Sequence, residues 1–130
     1  IAAADVVVVP SRWEGFGLVA IEAMREGKPV IAHDVGGLPE IVSDHETGLL
    51  FSPLDAATLA AVLGSLDKQQ LRAMGKAARR RFEAHFTDRA MHTATDQIYR
   101  RVLPAHFFGQ TASAATVRFE EGSSLANSHL

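Results

Sequence analysis

The sequence predicts an α/β fold, a parallel sheet with flanking helices, on three observations. Strand-like and helix-like segments alternate through residues 5–103. The strand segments are short and continuously apolar, as strands buried on both faces are. Turns bearing glycine join the first two strands to the helices that follow them.

The elements follow in order. Asp5–Pro10 (DVVVVP) is a β-branched run suited to a central strand, and Ser11–Gly17 is a polar, glycine-containing turn. Leu18–Glu26 holds good helix formers, and Gly27 stops the helix in a left-handed conformation that glycine adopts freely. Pro29–Ala32 is a second buried strand, His33–Gly37 a loop, Leu38–Val42 a short helix and Thr47–Ser52 a third strand. Asp55 is an N-cap for a helix over Ala56–Leu66. Lys68–Phe86 is a helix whose Leu71, Met74, Ala78, Phe82 and Phe86 recur near 3.6 residues. Thr87 caps a last helix that reaches Leu103. Residues 1–104 are therefore read as one partial domain. After Pro104 the chain turns to Ala, Ser and Thr without period, so 105–130 is read as a flexible tail, with a strand around Thr116–Phe119 as the alternative.

Three strands are few for such a sheet, and the opening residues Ile1-Ala2-Ala3-Ala4-Asp5 run straight into a strand without a Met. The start is read as an internal cut, with the N-terminal half of the domain expected elsewhere. A length of 130 residues suits one compact domain, and 47% hydrophobic with 22% charged residues is the profile of a globular protein. A net charge of −2 without a pile-up of Lys and Arg argues against nucleic acid. With no cysteine, neither a disulfide nor a thiolate metal site forms, and the cytoplasm is the expected compartment. The stripe Lys68, Arg72, Lys76, Arg79 and Arg80 raises peripheral contact with anionic lipid at the inner face of a membrane, but without apolar anchors it reads better as a solvated helix face.

The first strand, turn and helix carry the chemistry. Amides at a helix start have no intrahelical partner, and the helix dipole there favours anions such as phosphate. Gly15 and Gly17 let the main chain approach a ligand, at the carboxyl end of a parallel strand where ligands of such sheets sit. Glu22 lies about one turn into the helix and leans back towards its start. A carboxylate there suits two neighbouring hydroxyls, such as those of a ribose. Glu14, in the turn, can face a second sugar; singly, each glutamate is as well explained as a solvated residue. A second glycine turn, Asp34-Val35-Gly36-Gly37-Leu38-Pro39-Glu40, brings backbone to a ligand or simply turns tightly, with Glu40 either pairing with a cation or sitting in the first turn of its helix. His33 is a weak ligand candidate.

Together these residues resemble the family 4 retaining glycosyltransferases of the GT-B fold. The resemblance rests on Pro10–Phe51, PSRWEGFGLVAIEAMREGKPVIAHDVGGLPEIVSDHETGLLF, and extends loosely to Leu103. It includes two glutamates separated by seven residues, Glu14 and Glu22, with EGFGL, EAM and Gly-Gly-Leu-Pro-Glu at the family's spacing. It implies a partial Rossmann-like sheet, the C-terminal half of a GT-B C-terminal domain. It implies transfer of a sugar from a nucleoside diphosphate sugar to an acceptor with retained anomeric configuration. Glu22 would hold the ribose, Glu14 would be the catalytic candidate beside the donor sugar, and Gly15 with the backbone of Phe16, Gly17 and Leu18 would face the donor sugar and diphosphate. No cofactor is implied, and no metal, in keeping with the absence of an Asp-x-Asp motif. The family's diphosphate-neutralising Arg and Lys come from earlier in the same domain and the acceptor site mostly from the N-terminal domain, so the 130 residues are expected to be inactive alone. His33 stands where small or hydroxyl residues are common, and no role carries over to it.

Two other readings compete. Gly15-Phe16-Gly17-Leu18-Val19-Ala20 fits G-x-G-x-x-A, with Asp34 placed as a ribose-binding acid, which suggests a dinucleotide-binding oxidoreductase. That fingerprint wants its first glycine at the strand end, whereas Ser11–Glu14 intervene here. The other is a non-catalytic nucleotide-binding or assembly domain, since half a donor site without its cations binds a diphosphate poorly.

Overall fold

A computed structural model describes residues 1–104 and 107 of the chain. Strands β1 (Val7–Val9), β2 (Val30–His33) and β3 (Gly48–Phe51) form one sheet in that order. Both pairings are parallel, with Val8 opposite Ile31 and Ile31 opposite Leu49. Helix α1 (Leu18–Arg25) connects β1 to β2, and α2 (Leu38–Ile41) connects β2 to β3. Helices α3 (Ala56–Gly64), α4 (Lys68–His85) and α5 (Asp88–Val102) follow. Parallel pairing puts all three strand ends on one edge of the sheet, and the turns 11–17 and 34–37 leave from that edge.

The two-residue period of the strands sorts their side chains into two cores. Val30 and Ala32 pack with Ala20, Ala23 and Met24 of α1 and with Leu38 and Ile41 of α2. Ile31, Leu49 and Phe51 point the other way, towards Leu59 and Val62 of α3 and Met74 of α4. Helix α4 serves both cores, because Ala78 and Phe82 join the first. Burial of Met24, Ile31 and Leu38, each under 2% exposed, contributes roughly 1.5–3 kcal/mol apiece.

Local chemistry closes the helices where the sequence indicates. Gly27 has φ 66°, with the Lys28 amide donating to Ala23 O at 2.9 Å and the Gly27 amide to Met24 O at 3.0 Å. Gly75 lets α4 ride against this turn, since a Cβ there would collide with the Gly27 carbonyl. Asp55 accepts the Thr58 amide at 2.8 Å, and Asp67 exchanges bonds with Gln70 in a capping box. Thr87 Oγ1 accepts the Ala90 amide at 3.1 Å.

Several element boundaries differ from the sequence reading by a residue or more, among them these three. β1 spans only Val7–Val9, and its ladder with β2 covers those three residues. His33 belongs to β2, paired with Phe51, rather than to the loop. α3 stops at Gly64 instead of Leu66, because the Ser65 hydroxyl turns back onto the Val62 carbonyl at 2.8 Å. The chain divides into two units, 1–94 and 95–130. Apart from Phe107, the tail expected over 105–130 and the strand around Thr116–Phe119 lie outside the described residues.

Candidate functional site

The turn after β1 is held by its own side chains. His33 Nδ1–H donates to the Ser11 carbonyl at 2.8 Å, tying the start of the turn to the end of β2, and its ring lies 5.8 Å from that of Phe51. This gives His33 a structural part in shaping the edge. The Glu14 carboxylate accepts the Gly17 amide at 3.0 Å and, at the outer limit of a hydrogen bond, the Ser11 hydroxyl at 3.5 Å.

Gly17 is the N-cap of α1, with φ 85° and ψ 46°. A side chain there would be strained and would also press on Leu38 and Ile41, so only glycine fits. The amides of Phe16, Leu18 and Val19 make no hydrogen bond among the described residues; the first amides to turn back are those of Ala20 and Ile21, onto the Gly17 carbonyl. The structure thus redistributes the expected donors. Gly17, expected to face the ligand with Phe16 and Leu18, gives its amide to Glu14, while Val19, which the sequence reading did not single out, leaves its amide open. Glu14 correspondingly turns into its own loop.

Glu22 lies on the exposed stripe of α1 with Leu18, four residues earlier, and forms no ion pair among the described residues. Its Cα–Cβ bond tilts towards the helix start, the direction of the open amides.

The second glycine turn braces the first. A Cβ on Gly36 (φ 57°) would collide with the Glu14 carbonyl, and one on Gly37 would stand 2.8 Å from the Gly15 carbonyl. The Gly37 amide donates to the Glu14 carbonyl at 3.1 Å. What approaches these glycines closely is therefore another stretch of backbone. Glu40 sits in the first turn of α2, and the cation that reaches it, Arg81 of α4, binds the carbonyls of Glu40 and Ile41 at 2.8 Å. Sequence reasoning also passed over Arg12 and Trp13, both exposed in the first turn, with Trp13 80% accessible.

Recesses of about 260, 560 and 600 Å³ lie elsewhere, along the basic face of α4 by Lys68, Arg72 and Lys76. The smallest opens beside Asp5 and Lys28, at the amino end of the strands. They are poor rivals to the carboxyl edge. They are open and shallow, and Arg79 in that stripe already binds the Arg25 carbonyl and pairs with Glu83 at 2.6 Å.

A parallel sheet whose carboxyl edge carries an open helix start and a nearby carboxylate defines an α/β domain with a candidate ligand site at that edge. Residues 1–81 match the family described as Glycosyl transferases group 1, and the chain belongs to that family. It is 47% identical over 106 residues to the D-inositol 3-phosphate glycosyltransferase of Streptomyces avermitilis, covering 80% of this chain and 23% of that protein. Among solved structures it resembles sucrose-phosphate synthase from Thermosynechococcus elongatus, at TM-score 0.70 and 48% identity, covering 76% of this chain and 25% of that one. It also resembles Anabaena HepE in complex with UDP, at TM-score 0.72 and 29% identity, covering 78% and 29%. The chain therefore spans about a quarter of the length of the relatives it matches, and its fold is the corresponding part of a GT-B glycosyltransferase. The stretch Gly15–Ala20, which also fits a dinucleotide fingerprint, falls inside the glycosyltransferase match.

Proposed function

We propose that this chain forms part of the donor site of a retaining glycosyltransferase, which transfers a sugar from a nucleoside diphosphate sugar to an acceptor. The observation that carries the reading is the open start of α1. Three amides without a partner among the described residues, Phe16, Leu18 and Val19, sit at the carboxyl edge of a parallel sheet, with Glu22 one turn further along the exposed face. A leaving diphosphate gathers negative charge in the transition state, and fixed N–H donors stabilise it without reorganising. Glu22 takes the ribose hydroxyls. Glu14 fixes the shape of the turn and stands beside the donor sugar. The HepE complex with UDP supports a uridine nucleotide as the first donor to try.

The reading calls on no metal or organic cofactor and places the protein in the cytoplasm. Contact with anionic lipid through the α4 stripe would be electrostatic only, since that face offers no apolar anchor. Diphosphate-neutralising cations and an acceptor pocket are assigned to residues beyond these 130, so the chain alone binds donor weakly and transfers no sugar. Titration calorimetry with UDP and with NAD tests the assignment. Binding of UDP with no heat from NAD is expected; preference for NAD would overturn it in favour of the dinucleotide reading, and binding of neither would leave an assembly role.

A further inference from the structure

Trp13 is the sole tryptophan of the chain and, among the described residues, the most exposed large apolar side chain. A single exposed aromatic is ordinary on a protein surface; what distinguishes this one is its place in the turn 11–17 between β1 and α1, at the carboxyl edge of the sheet. It is also seated. A Cβ on Gly15 would stand 3.3 Å from Trp13 Cη2 and 3.9 Å from Cζ2 and Cζ3, so a side chain at Gly15 would crowd the benzo ring. Gly15 has no left-handed φ to explain it, unlike Gly17, and the ring is the nearest neighbour that a side chain there would press on. Most of the indole surface stays open, since the residue is 80% accessible. The ring is adjacent in sequence to Glu14, whose carboxylate is fixed on Gly17.

We propose that Trp13 is a stacking platform for a pyranose ring at this site. A pyranose presents a face of C–H groups with hydroxyls around its rim, which suits an indole surface flanked by a carboxylate and open amides. The ring comes either from the donor hexose or from an acceptor saccharide. The inference rests on the glycosyltransferase reading above, and its test is separable from it, because UDP lacks the hexose.

Being the only tryptophan, Trp13 reports its own contacts. Its emission is followed while the chain is titrated with UDP, with UDP-glucose and with maltose, binding being measured in parallel by calorimetry. The expected result is a change in emission with UDP-glucose or maltose but not with UDP. A response to UDP-glucose alone assigns the donor hexose, and a response to maltose assigns the acceptor. Trp13→Ala should weaken the responding ligand by about three- to tenfold and leave UDP unchanged, while Trp13→Phe retains most of the affinity. Unchanged emission with both sugars, or equal losses for UDP and the sugar ligand in Trp13→Ala, overturns the proposal. Failure of UDP itself to bind counts against Glu22 and the open amides; Trp13 is decided by the emission responses to UDP-glucose and maltose taken together.

Discussion

The amide of Gly37 donates to the carbonyl of Glu14 at 3.1 Å, so the turn after β2 holds the turn after β1. The two turns meet backbone to backbone, with Gly36 and Gly37 lying on Glu14 and Gly15. The open start of α1 is positioned by this contact as much as by its own sequence.

Gly36→Ala therefore destabilises strongly. It forces a side chain into a left-handed backbone and onto the Glu14 carbonyl, at a combined cost of at least about 2 kcal/mol. Gly64→Ala, where a Cβ meets nothing within 4 Å, serves as the control and should gain roughly 0.5 kcal/mol from helix propensity. Urea unfolding of the two variants measures both; a loss below 0.5 kcal/mol for Gly36→Ala, within the usual surface range, would show the two turns to be uncoupled.

On the proposed function, Glu14 and the donor diphosphate compete for the same helix start. Replacing the carboxylate by an amide, Glu14→Gln, keeps an acceptor for Gly17 and removes a negative charge. The affinity of the chain for UDP should then rise by about two- to fivefold, the scale of a charge at a helix end. Calorimetry at low salt is the measurement, and a fall in affinity would place Glu14 in direct support of the nucleotide.

Glu22→Ala should leave stability within about 0.5 kcal/mol, as expected for an exposed side chain without an ion pair. Loss of its bonds to two ribose hydroxyls should weaken UDP by about ten- to a hundredfold. Inorganic diphosphate has no ribose and serves as the comparison; an equal loss for both ligands would remove Glu22 from the ribose.

Stability should carry an acid limb from Asp55. Its carboxyl is held below the ordinary 3.8, first by the Thr58 amide and then by the Thr58 hydroxyl. A depressed folded value means that the contribution is present above 3.8 and is lost as pH falls through the lowered value. Asp55→Asn keeps a cap without the titration, so the advantage of the natural residue over it should shrink below pH 3.8 and vanish further into acid. A difference independent of pH in urea midpoints would contradict this.

Much of the fold is legible in the sequence, because each element carries its own local signals. Valine runs mark β1, Gly27 closes α1, Asp55 opens α3 and Thr87 caps α5. The stretch proposed for the donor stands out for the same reason, since Glu14, Gly15, Gly17 and Glu22 fall within a span of nine residues. What is not legible depends on contacts between distant segments. Nothing local shows that Gly36 and Gly37 face Glu14, that His33 reaches back 22 residues to Ser11, or that Arg81 closes α2 from 40 residues away. Trp13 is overlooked for a related reason, because only its place in the folded turn, with its ring near Gly15, distinguishes it from an ordinary exposed aromatic.

The central claim is that the start of α1 receives the donor diphosphate, and amide chemical shifts measured by NMR during a UDP titration test it most directly. The account predicts the largest shifts at Phe16, Leu18 and Val19, with a smaller response at Glu22. Shifts concentrated on Lys68, Arg72 and Lys76, with residues 16–19 unmoved, would contradict it and move the anion site to the basic face of α4.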